Sequence, residues 1–290
     1  MRRLIVLLGL VWVAAGVAIA EDAPRGHLVL NGGGAKPREV VEKFVELAGG
    51  RGSPIVVFPT ASELEDTGAY YRALLRDDYG CTDVTVAEVF TPEDGQNESI
   101  AARVAAAGGI FFAGGDQRRI TRALGGTRVG AAVRIAFDGG AVVGGPSAGT
   151  ACQSGLMITG DGDFEVIAAG SVELWPGLGL FEGVIVDQHF VSRRRHNRLV
   201  SVVLEHPELL GVGVDDATAV WLRPDGTFQV LGEGWVVVYD ARSAAVHRGA
   251  HRSTGPSLGV HGLVTHVLLP GEVFDVTKGE IVAPEPDATQ

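Results

Sequence analysis

The chain has 290 residues, of which 46% are hydrophobic and 20% charged, a composition typical of a globular protein with a substantial core. Its formal net charge is −11, so its surface repels phosphate backbones and attracts cations, which excludes nucleic acid as an expected partner. The two cysteines, Cys81 and Cys152, allow one disulfide, although a buried free thiol is the favoured interpretation for Cys152. Neither the cysteines nor the scattered histidines have the spacing of zinc ligands.

The first 20 residues have the pattern of an export signal. Arg2 and Arg3 precede an almost wholly apolar run from Leu4 to Ala18, and Ala18-Ile19-Ala20 fits a cleavage site. The run is short for a membrane span, and an uncleaved anchor is the alternative. We therefore expect a signal peptide over residues 1–20 and a periplasmic or secreted mature chain, with no membrane contact after cleavage.

Apolar, β-branched runs alternate with helical patterns in the first half of the chain. Strands are predicted at His27–Asn31, Ile55–Phe58, Val84–Val89 and Gly109–Ala113, and helices at Glu39–Ala48 and Ala69–Asp78. Continuous apolar strands separated by helices are typical of parallel strands covered on both faces, so an α/β doubly wound, mostly parallel sheet is predicted. The glycines 32–34 lack the lysine and hydroxyl pattern of a phosphate-binding P-loop, and a plain turn is favoured there.

A nucleophile elbow is predicted where the apolar run Ala141–Val143 ends. Gly145-Pro146-Ser147-Ala148-Gly149 has the form G-x-S-x-G, in which small neighbours allow a strained turn that exposes the serine hydroxyl. The Ala148 N–H, at the start of a helix, is then placed to stabilise an oxyanion. Because the chain is rich in glycine, a plain strand-to-helix turn is the alternative.

Two further strand ends are expected at the same edge of the sheet, where ligands bind in such folds. Gly114 and Gly115 follow one apolar strand, and the Gly115 N–H is a second oxyanion candidate, while Asp116 fits a helix N-cap. His189 follows the apolar run Val184–Val186 and is a candidate general base, with a structural histidine as the alternative.

Carboxylates occur at two places that bear on the site. The loop Thr159–Glu165 carries Asp161, Asp163 and Glu165 but lacks a complete calcium-binding pattern, so we predict neither a metal nor a cofactor. Asp215 and Asp216 are either active-site acids or turn residues that bond to backbone N–H groups, and the turn interpretation is favoured.

The pattern becomes β-rich from about residue 211. A hairpin turn at Arg223–Gly226 is predicted between strands, and Pro284–Gln290 is expected to form a frayed tail. The predicted strands are Gly211–Trp221, Phe228–Leu231, Trp235–Tyr239 and Leu263–Leu269, with a loop at His247–His261. Since no linker or repeat interrupts the chain, residues 21–290 are predicted to form one domain.

Four segments together resemble the serine peptidase family of the cyanophycinases and aspartyl dipeptidases. They are Phe111–Gln117, Gly145–Gly149, Asp187-Gln188-His189-Phe190 with the arginines that follow, and Gly213–Ala219. The resemblance implies a flavodoxin-like sheet akin to that of class I glutamine amidotransferases. It also implies Ser147 as nucleophile, His189 as general base and Glu165 as the orienting acid, with Asp161 and Asp163 as alternatives on the same loop.

The resemblance further implies a substrate site. Its residues are Gln117, Asp187, Gln188, Arg193, Arg195 and Arg198. The implied substrate is cyanophycin, hydrolysed to β-Asp-Arg dipeptides through an acyl-enzyme, by a protein that forms homodimers. Short aspartyl peptides are the alternative substrate, and a catalytically silent peptide-binding protein is a further alternative. The sequence departs from the family pattern at Pro146, Thr150, Ser192, Arg194 and Asn197, which bears on the substrate rather than on the acyl-transfer residues.

Overall fold

A computed structural model describes residues 26–252 and 255–282. The predicted signal peptide and the predicted tail at Pro284–Gln290 lie outside these ranges. Within them, no helix combines the length and apolarity that a membrane crossing requires.

Five parallel strands form the centre of the main sheet, in the order β1-β5-β4-β2-β3. Most of their residues are fully buried, as expected for a parallel sheet that is covered on both faces. The strands are β1 His27–Asn31, β2 Ile55–Phe58, β3 Val84–Val86, β4 Gly109–Phe112 and β5 Val142–Pro146.

Helices cover both faces of this sheet. The α-helices of the described chain are α1 Arg38–Leu47, α2 Thr67–Ala73, α3 Glu98–Ala105, α4 Gln117–Leu124, α5 Arg128–Asp138, α6 Ala148–Ala151 and α7 His196–Glu205; α7 packs against later strands and not against this sheet. On one face, Phe44 of α1 and Tyr71 of α2 pack against Phe111. On the other face, α4 and α5 pack against Phe112, because successive strand residues point to opposite sides. The predicted helix Ala69–Asp78 is α2 followed by a π-helical turn at Leu74–Asp78.

The remaining strands extend this sheet, build a second sheet of four strands and form two separate two-stranded sheets. They are β6 Leu156–Gly162, β7 Val172–Pro176, β8 Val184–Gln188, β9 Leu210–Val214, β10 Thr218–Leu222, β11 Thr227–Gly232, β12 Val236–Asp240, β13 Ala245–Arg252, β14 Gly255–His261, β15 Val264–Leu268, β16 Val273–Asp275 and β17 Glu280–Val282. Strands β10, β11, β16 and β17 continue the main sheet antiparallel beyond β1. The second sheet has the order β15-β12-β9-β8. The predicted α/β sheet with a β-rich C-terminal extension is thus confirmed.

Two predictions for the C-terminal part are wrong in detail. The predicted strand Gly211–Trp221 is two strands, because the chain leaves the second sheet after β9 and enters the main sheet at β10. The predicted loop His247–His261 is the hairpin β13–β14, and the mostly exposed described side chains of β13 give no apolar alternation to detect. Cys81 and Cys152 are both buried free thiols, as favoured for Cys152, so they form no disulfide with each other.

Strand register brings distant loops together. Asn31 at the end of β1 lies opposite Pro146 at the end of β5, so the loop of glycines 32–34 lies beside Ser147. In the second sheet, Gln188 of β8 lies opposite Val214 of β9. His189, which follows β8, and Asp215 and Asp216, which follow β9, therefore leave two parallel strands at the same level. The two sheets therefore deliver their loops to one location.

Candidate active site

Ser147 occupies a strained turn between β5 and α6. Its φ of 54° and ψ of −106° are conformations that a non-glycine residue rarely adopts. A side chain at Gly145 would place a Cβ 1.9 Å from the Phe112 carbonyl oxygen, so only glycine permits this close approach. The Ser147 N–H donates to the Asn31 carbonyl at 2.9 Å, and the Thr150 hydroxyl donates to the same oxygen at 2.7 Å. The turn thus has the geometry of the predicted elbow, and hydrogen bonds to the end of β1 hold it in place.

His189 contacts both the serine and a carboxylate. Its Nε2 lies 2.9 Å from Ser147 Oγ, and its Nδ1 lies 2.5 Å from Asp216 Oδ1. With the proton on Nδ1, the imidazole donates to the carboxylate and presents Nε2 as an acceptor to the serine hydroxyl. This arrangement of hydroxyl, imidazole and carboxylate is the one that activates a serine for attack on a carbonyl.

The glycine loop after β1 forms the surface against which His189 packs. A Cβ at Gly33 would lie 2.0 Å from His189 Cε1, and Gly33 has a φ of +131°. The His189 N–H donates to the Gly32 carbonyl at 2.8 Å, and the Ala217 N–H donates to the Gly33 carbonyl at 2.9 Å. The loop that the sequence indicated as a plain turn therefore positions both the imidazole and the segment that carries Asp216. The sequence feature that could have indicated this role is the position of the glycine run, at the carboxyl end of the first strand.

Backbone strain concentrates in the same loops. Among the described residues, the non-glycine positions with positive φ are Ser147, His189, Arg194 and Ala217. One is the nucleophile candidate, one is the base candidate, and Ala217 directly follows Asp216. Each such residue costs of order 1–3 kcal/mol and persists where the surrounding structure enforces it, which is typical of functional sites.

Burial and charge determine the protonation of His189. Removal from water lowers the pKa of His189 below its ordinary value, and the Arg193 cation lowers it further, while the Asp216 carboxylate opposes both. The imidazole is therefore neutral at neutral pH, the form that can accept the serine proton.

Glu165 does not occupy the position expected of the orienting acid, and this prediction needs correction. It is exposed, with its backbone N–H donating to Asp163 Oδ1 at 3.1 Å, while Asp161 pairs with Arg118 at 2.6 Å. His189 Nδ1 is bonded to Asp216 instead. In the described part of the chain, no group of three or more acidic, histidine or cysteine side chains is placed to hold a metal ion.

The loop between β4 and α4 flanks the serine. A Cβ at Gly114 would lie 3.8 Å from Ser147 Cβ. The Asp116 side chain caps α4 by accepting from the Arg118 N–H at 2.8 Å, as predicted, and the Asp116 N–H donates to Ala61. Gly115 follows Gly114 in this loop, and Ala148 is the first residue of α6, directly after the serine. The first N–H of a helix has no acceptor within it, which leaves the Ala148 N–H for an oxyanion.

Asp187 and Arg198, expected to bind substrate, are instead buried against each other. Both side chains are at most 1% exposed, and Arg198 Nε donates to Asp187 Oδ2 at 2.6 Å, with a second bond from Nη2 to Oδ1. The Gln188 N–H also donates to Asp187 Oδ1, at 2.8 Å. Since the two charges satisfy each other away from solvent, the pair fixes the end of β8 and does not offer a free cation to a ligand.

Two other residues expected to bind substrate, Gln117 and Gln188, are also buried. Gln117 is buried and its amide donates to the carbonyls of Ile158 at 2.6 Å and Thr159 at 2.8 Å, so that amide N–H₂ group supports β6. Gln188 is also buried, and its Oε1 accepts no hydrogen bond within the described residues. Both thus lie largely within the protein interior.

Two arginines remain beside the histidine. Arg193 is exposed and close enough to His189 to influence its pKa. Arg195 donates to the Gln188 carbonyl at 2.6 Å, and burial near Arg198 lowers the pKa of Arg195 to about 10, which leaves it charged at neutral pH. Arg195 Nη1 also lies 3.7 Å from Asp187 Oδ1, so the exposed Arg193 is the more accessible cation for an anionic ligand.

A serine on an elbow, hydrogen-bonded to a histidine at the edge of an α/β sheet, is typical of serine-type hydrolases. Sequence comparison gives the class directly, since the profile of Peptidase family S51 matches residues 28–230. The chain belongs to Peptidase family S51, which contains cyanophycinase and dipeptidase E.

Individual relatives agree with this assignment. The chain is 35% identical over 275 residues to a cyanophycinase of Synechococcus elongatus, covering 94% of this chain and 81% of the relative. It is 35% identical over 247 residues to a cyanophycinase of Trichormus variabilis, covering 84% of this chain and 83% of the relative. Among solved structures, a peptidase from an acI-B1 actinobacterium has the same fold, with a TM-score of 0.66, 22% identity, and coverage of 88% of this chain and 98% of that one.

Proposed function

We propose that the protein is an exported serine peptidase that hydrolyses cyanophycin, multi-L-arginyl-poly-L-aspartate, to β-Asp-Arg dipeptides through an acyl-enzyme. The observation that carries the proposal is the continuous hydrogen-bonded series from Ser147 through His189 to Asp216. The names of the relatives indicate the substrate class.

The chemistry follows from the protonation states. Neutral His189 removes the Ser147 proton as Oγ attacks the carbonyl carbon, and the N–H groups of Gly115 and Ala148 stabilise the oxyanion. The imidazolium is stabilised by Asp216 and then gives its proton to the leaving amine, which breaks the C–N bond. A water molecule, deprotonated by the same histidine, attacks the acyl-enzyme and frees the carboxylic acid product with return of the serine proton.

Charge supports a zwitterionic substrate. Arg193 and Arg195 provide positive charge next to the histidine, which suits the carboxylates of a polyaspartate chain. The net charge of the whole chain is −11, which attracts the arginyl groups of the same polymer over longer range. Local arginines in an acidic protein thus suit both parts of the repeating unit.

The test is digestion of the insoluble polymer with identification of soluble products by mass spectrometry. We expect β-Asp-Arg from the wild type, and loss of nearly the whole rate with Ser147→Ala. Parallel assays on short Asp-X and isoaspartyl dipeptides distinguish an aspartyl dipeptidase, which would cleave these and leave the polymer intact. Release by the wild type no faster than by Ser147→Ala would contradict serine catalysis, and no product from the polymer or from the dipeptides would leave a peptide-binding protein.

Export and assembly are separate parts of the proposal. The leader pattern of residues 1–20 supports cleavage after Ala20, so N-terminal sequencing of mature protein from the periplasm or medium should begin at Glu21. A start at Met1 in membrane fractions would indicate the uncleaved anchor. The homodimer implied by the family resemblance is checked by sedimentation of the mature protein.

A further inference from the structure

Asn31, the last residue of β1, contacts both the nucleophile elbow and the glycine loop that supports the histidine. Its backbone carbonyl accepts from the Ser147 N–H at 2.9 Å and from the Thr150 hydroxyl at 2.7 Å. Its side-chain Oδ1 accepts from the Gly33 N–H at 2.7 Å. One residue therefore holds the elbow through its main chain and the glycine loop through its side chain.

The glycine loop extends this contact to the base and the acid. The Gly32 carbonyl accepts from the His189 N–H at 2.8 Å, and the Gly33 carbonyl accepts from the N–H of Ala217, directly after Asp216, at 2.9 Å. The backbone of Gly33 also packs on the imidazole, since a Cβ there would lie 2.0 Å from His189 Cε1. A shift of this loop would consequently displace the imidazole and the carboxylate relative to the serine hydroxyl.

The bond from Gly33 to Asn31 forms an Asx turn, in which a side-chain oxygen accepts the N–H two residues further on. Such a bond fixes the backbone between the two residues in a non-helical conformation. Both residues are buried, and the Gly33 N–H has no other acceptor among the described residues. Removal of the side-chain oxygen would leave a buried donor unsatisfied, so the loop would have to move to reach another acceptor.

The nitrogen of the same side chain makes no comparable contact. Asn31 Nδ2 has no hydrogen-bond partner among the described residues. Asn31 lines a cavity of about 20 Å³, which has room for about one water molecule. Because water can accept from an amide or donate to a carboxylate, Oδ1 is the side-chain atom whose loss should matter.

We propose that Asn31 is a positioning residue of the enzyme, whose side-chain oxygen sets the distance between Ser147 Oγ and His189 Nε2. Its carbonyl fixes the serine at the end of the main sheet. Its side chain fixes the loop on which the histidine of the second sheet packs. In the described chain its hydrogen bonds go to backbone N–H groups and to the Thr150 hydroxyl, so it acts on the reacting atoms through Gly33. The inference rests on the proposed function, since it assumes that Ser147 reacts with His189 as its base.

The test measures how fast Ser147 reacts in variants of Asn31. Diisopropyl fluorophosphate is small and uncharged; it forms a P–O bond to the serine Oγ and loses fluoride, while the base takes the serine proton. In Asn31→Leu, which is similar in size and lacks the acceptor, we expect the labelling rate, followed by intact-protein mass spectrometry, to fall by about 10- to 100-fold. On a soluble oligomer of the β-Asp-Arg unit, kcat should fall by a similar factor and KM should stay within about threefold, since substrate binding is not removed.

Matched variants separate positioning from folding. Asn31→Asp keeps an acceptor for the Gly33 N–H and should retain the labelling rate to within about fivefold. Asn97→Leu is the same substitution at an exposed residue, whose Oδ1 accepts from the Ser99 N–H at 3.0 Å and caps α3, after the edge strand β3. It should lower the melting temperature without changing the labelling rate at a temperature well below melting.

A second variant keeps the test decisive if thermal melting shows that Asn31→Leu does not fold. In Asn31→Ser the hydroxyl is a weaker acceptor for the same turn, and we expect the labelling rate to fall by about three- to tenfold. The same control, Asn97→Leu, applies.

The outcomes distinguish the two proposals. Slow labelling in Asn31→Leu, with recovery in Asn31→Asp and no loss in Asn97→Leu, supports the positioning role. A wild-type rate in Asn31→Leu or Asn31→Ser, or equal losses in Asn31→Leu and Asn31→Asp, overturns it and leaves the serine peptidase in place. Failure of the reagent to label Ser147 in the wild type contradicts the proposed function and the positioning role with it.

Discussion

Replacing Asp216 by asparagine tests the most specific feature of the site. The change keeps the shape of the side chain but removes the charge that lies 2.5 Å from His189 Nδ1. During acyl transfer the histidine becomes positively charged, so the lost attraction raises the energy of the transition state more than that of the ground state. We therefore expect kcat/KM to fall, mainly through kcat.

The size of the loss follows from the charge separation and exposure. Two unit charges about 4 Å apart attract by about 4 kcal/mol at an effective dielectric constant near 20 and by about 1 kcal/mol in water. Because the Asp216 side chain is 38% exposed, solvent screens it partly and an intermediate value is appropriate. About 3 kcal/mol corresponds to a rate loss of roughly 150-fold, and loss of the orienting hydrogen bond adds to it.

The assay is the initial rate of soluble dipeptide release by Asp216→Asn, compared with Glu165→Gln. Glu165 is exposed on the β6–β7 hairpin, so we expect its variant to stay within about threefold of the wild type. A wild-type rate for Asp216→Asn, or a hundredfold loss in Glu165→Gln, would refute the assignment of Asp216 as the orienting acid. Circular dichroism of both variants checks that the fold is retained.

Three further outcomes are expected. Gly33→Ala should displace the imidazole, since the new Cβ would lie 2.0 Å from His189 Cε1. We expect kcat/KM to fall by roughly 100-fold with the helix content unchanged. The control is Gly52→Ala, which should leave kcat/KM unchanged because a Cβ at Gly52 meets open space. Arg198→Met should remove both side-chain hydrogen bonds to the buried Asp187 carboxylate and leave Arg195, at 3.7 Å, as its only ion-pair partner among the described residues. We expect the free energy of unfolding to fall by about 3 kcal/mol in a urea titration, and a loss under about 1 kcal/mol would contradict the buried pair. Because the pKa of His189 is lowered, the neutral imidazole persists into mild acid. The pH profile of kcat/KM should therefore fall only as the pH drops through a midpoint below 6.5. A midpoint above 6.5 would show that the Asp216 carboxylate raises the pKa of His189 more than burial lowers it.

Much of the fold was predictable because parallel strands are apolar throughout. The runs at His27–Asn31 and Ile55–Phe58 coincide with β1 and β2, and the helix that follows β1 was predicted within about one residue. The elbow was predictable for another reason. Its glycines are required by the close approach of β4 backbone, which leaves a short and recognisable pattern around Ser147.

The acid of the site was not predictable from local pattern. Asp216 lies on the crossing from β9 to β10, and an apolar stretch that changes sheets resembles one long strand in sequence. Two adjacent aspartates in such a stretch fit a turn, and Asp215 does behave so, since it accepts the Ser192 N–H at 2.8 Å. Only the register of β8 against β9 places Asp216 beside the histidine. Likewise, the pairing of Arg198 with Asp187 depends on packing that residue spacing does not encode.

The hydroxyl and the imidazole belong to different β-sheets, and the carboxylate lies on the short connection between them. Hydrolytic activity therefore depends on how the two sheets are positioned relative to each other at their seam, and not on either sheet alone. A slip of 1 Å at that seam would disrupt the contacts to the histidine while every strand kept its own ladder of backbone bonds. On heating, turnover should consequently disappear before the far-ultraviolet signature of secondary structure does.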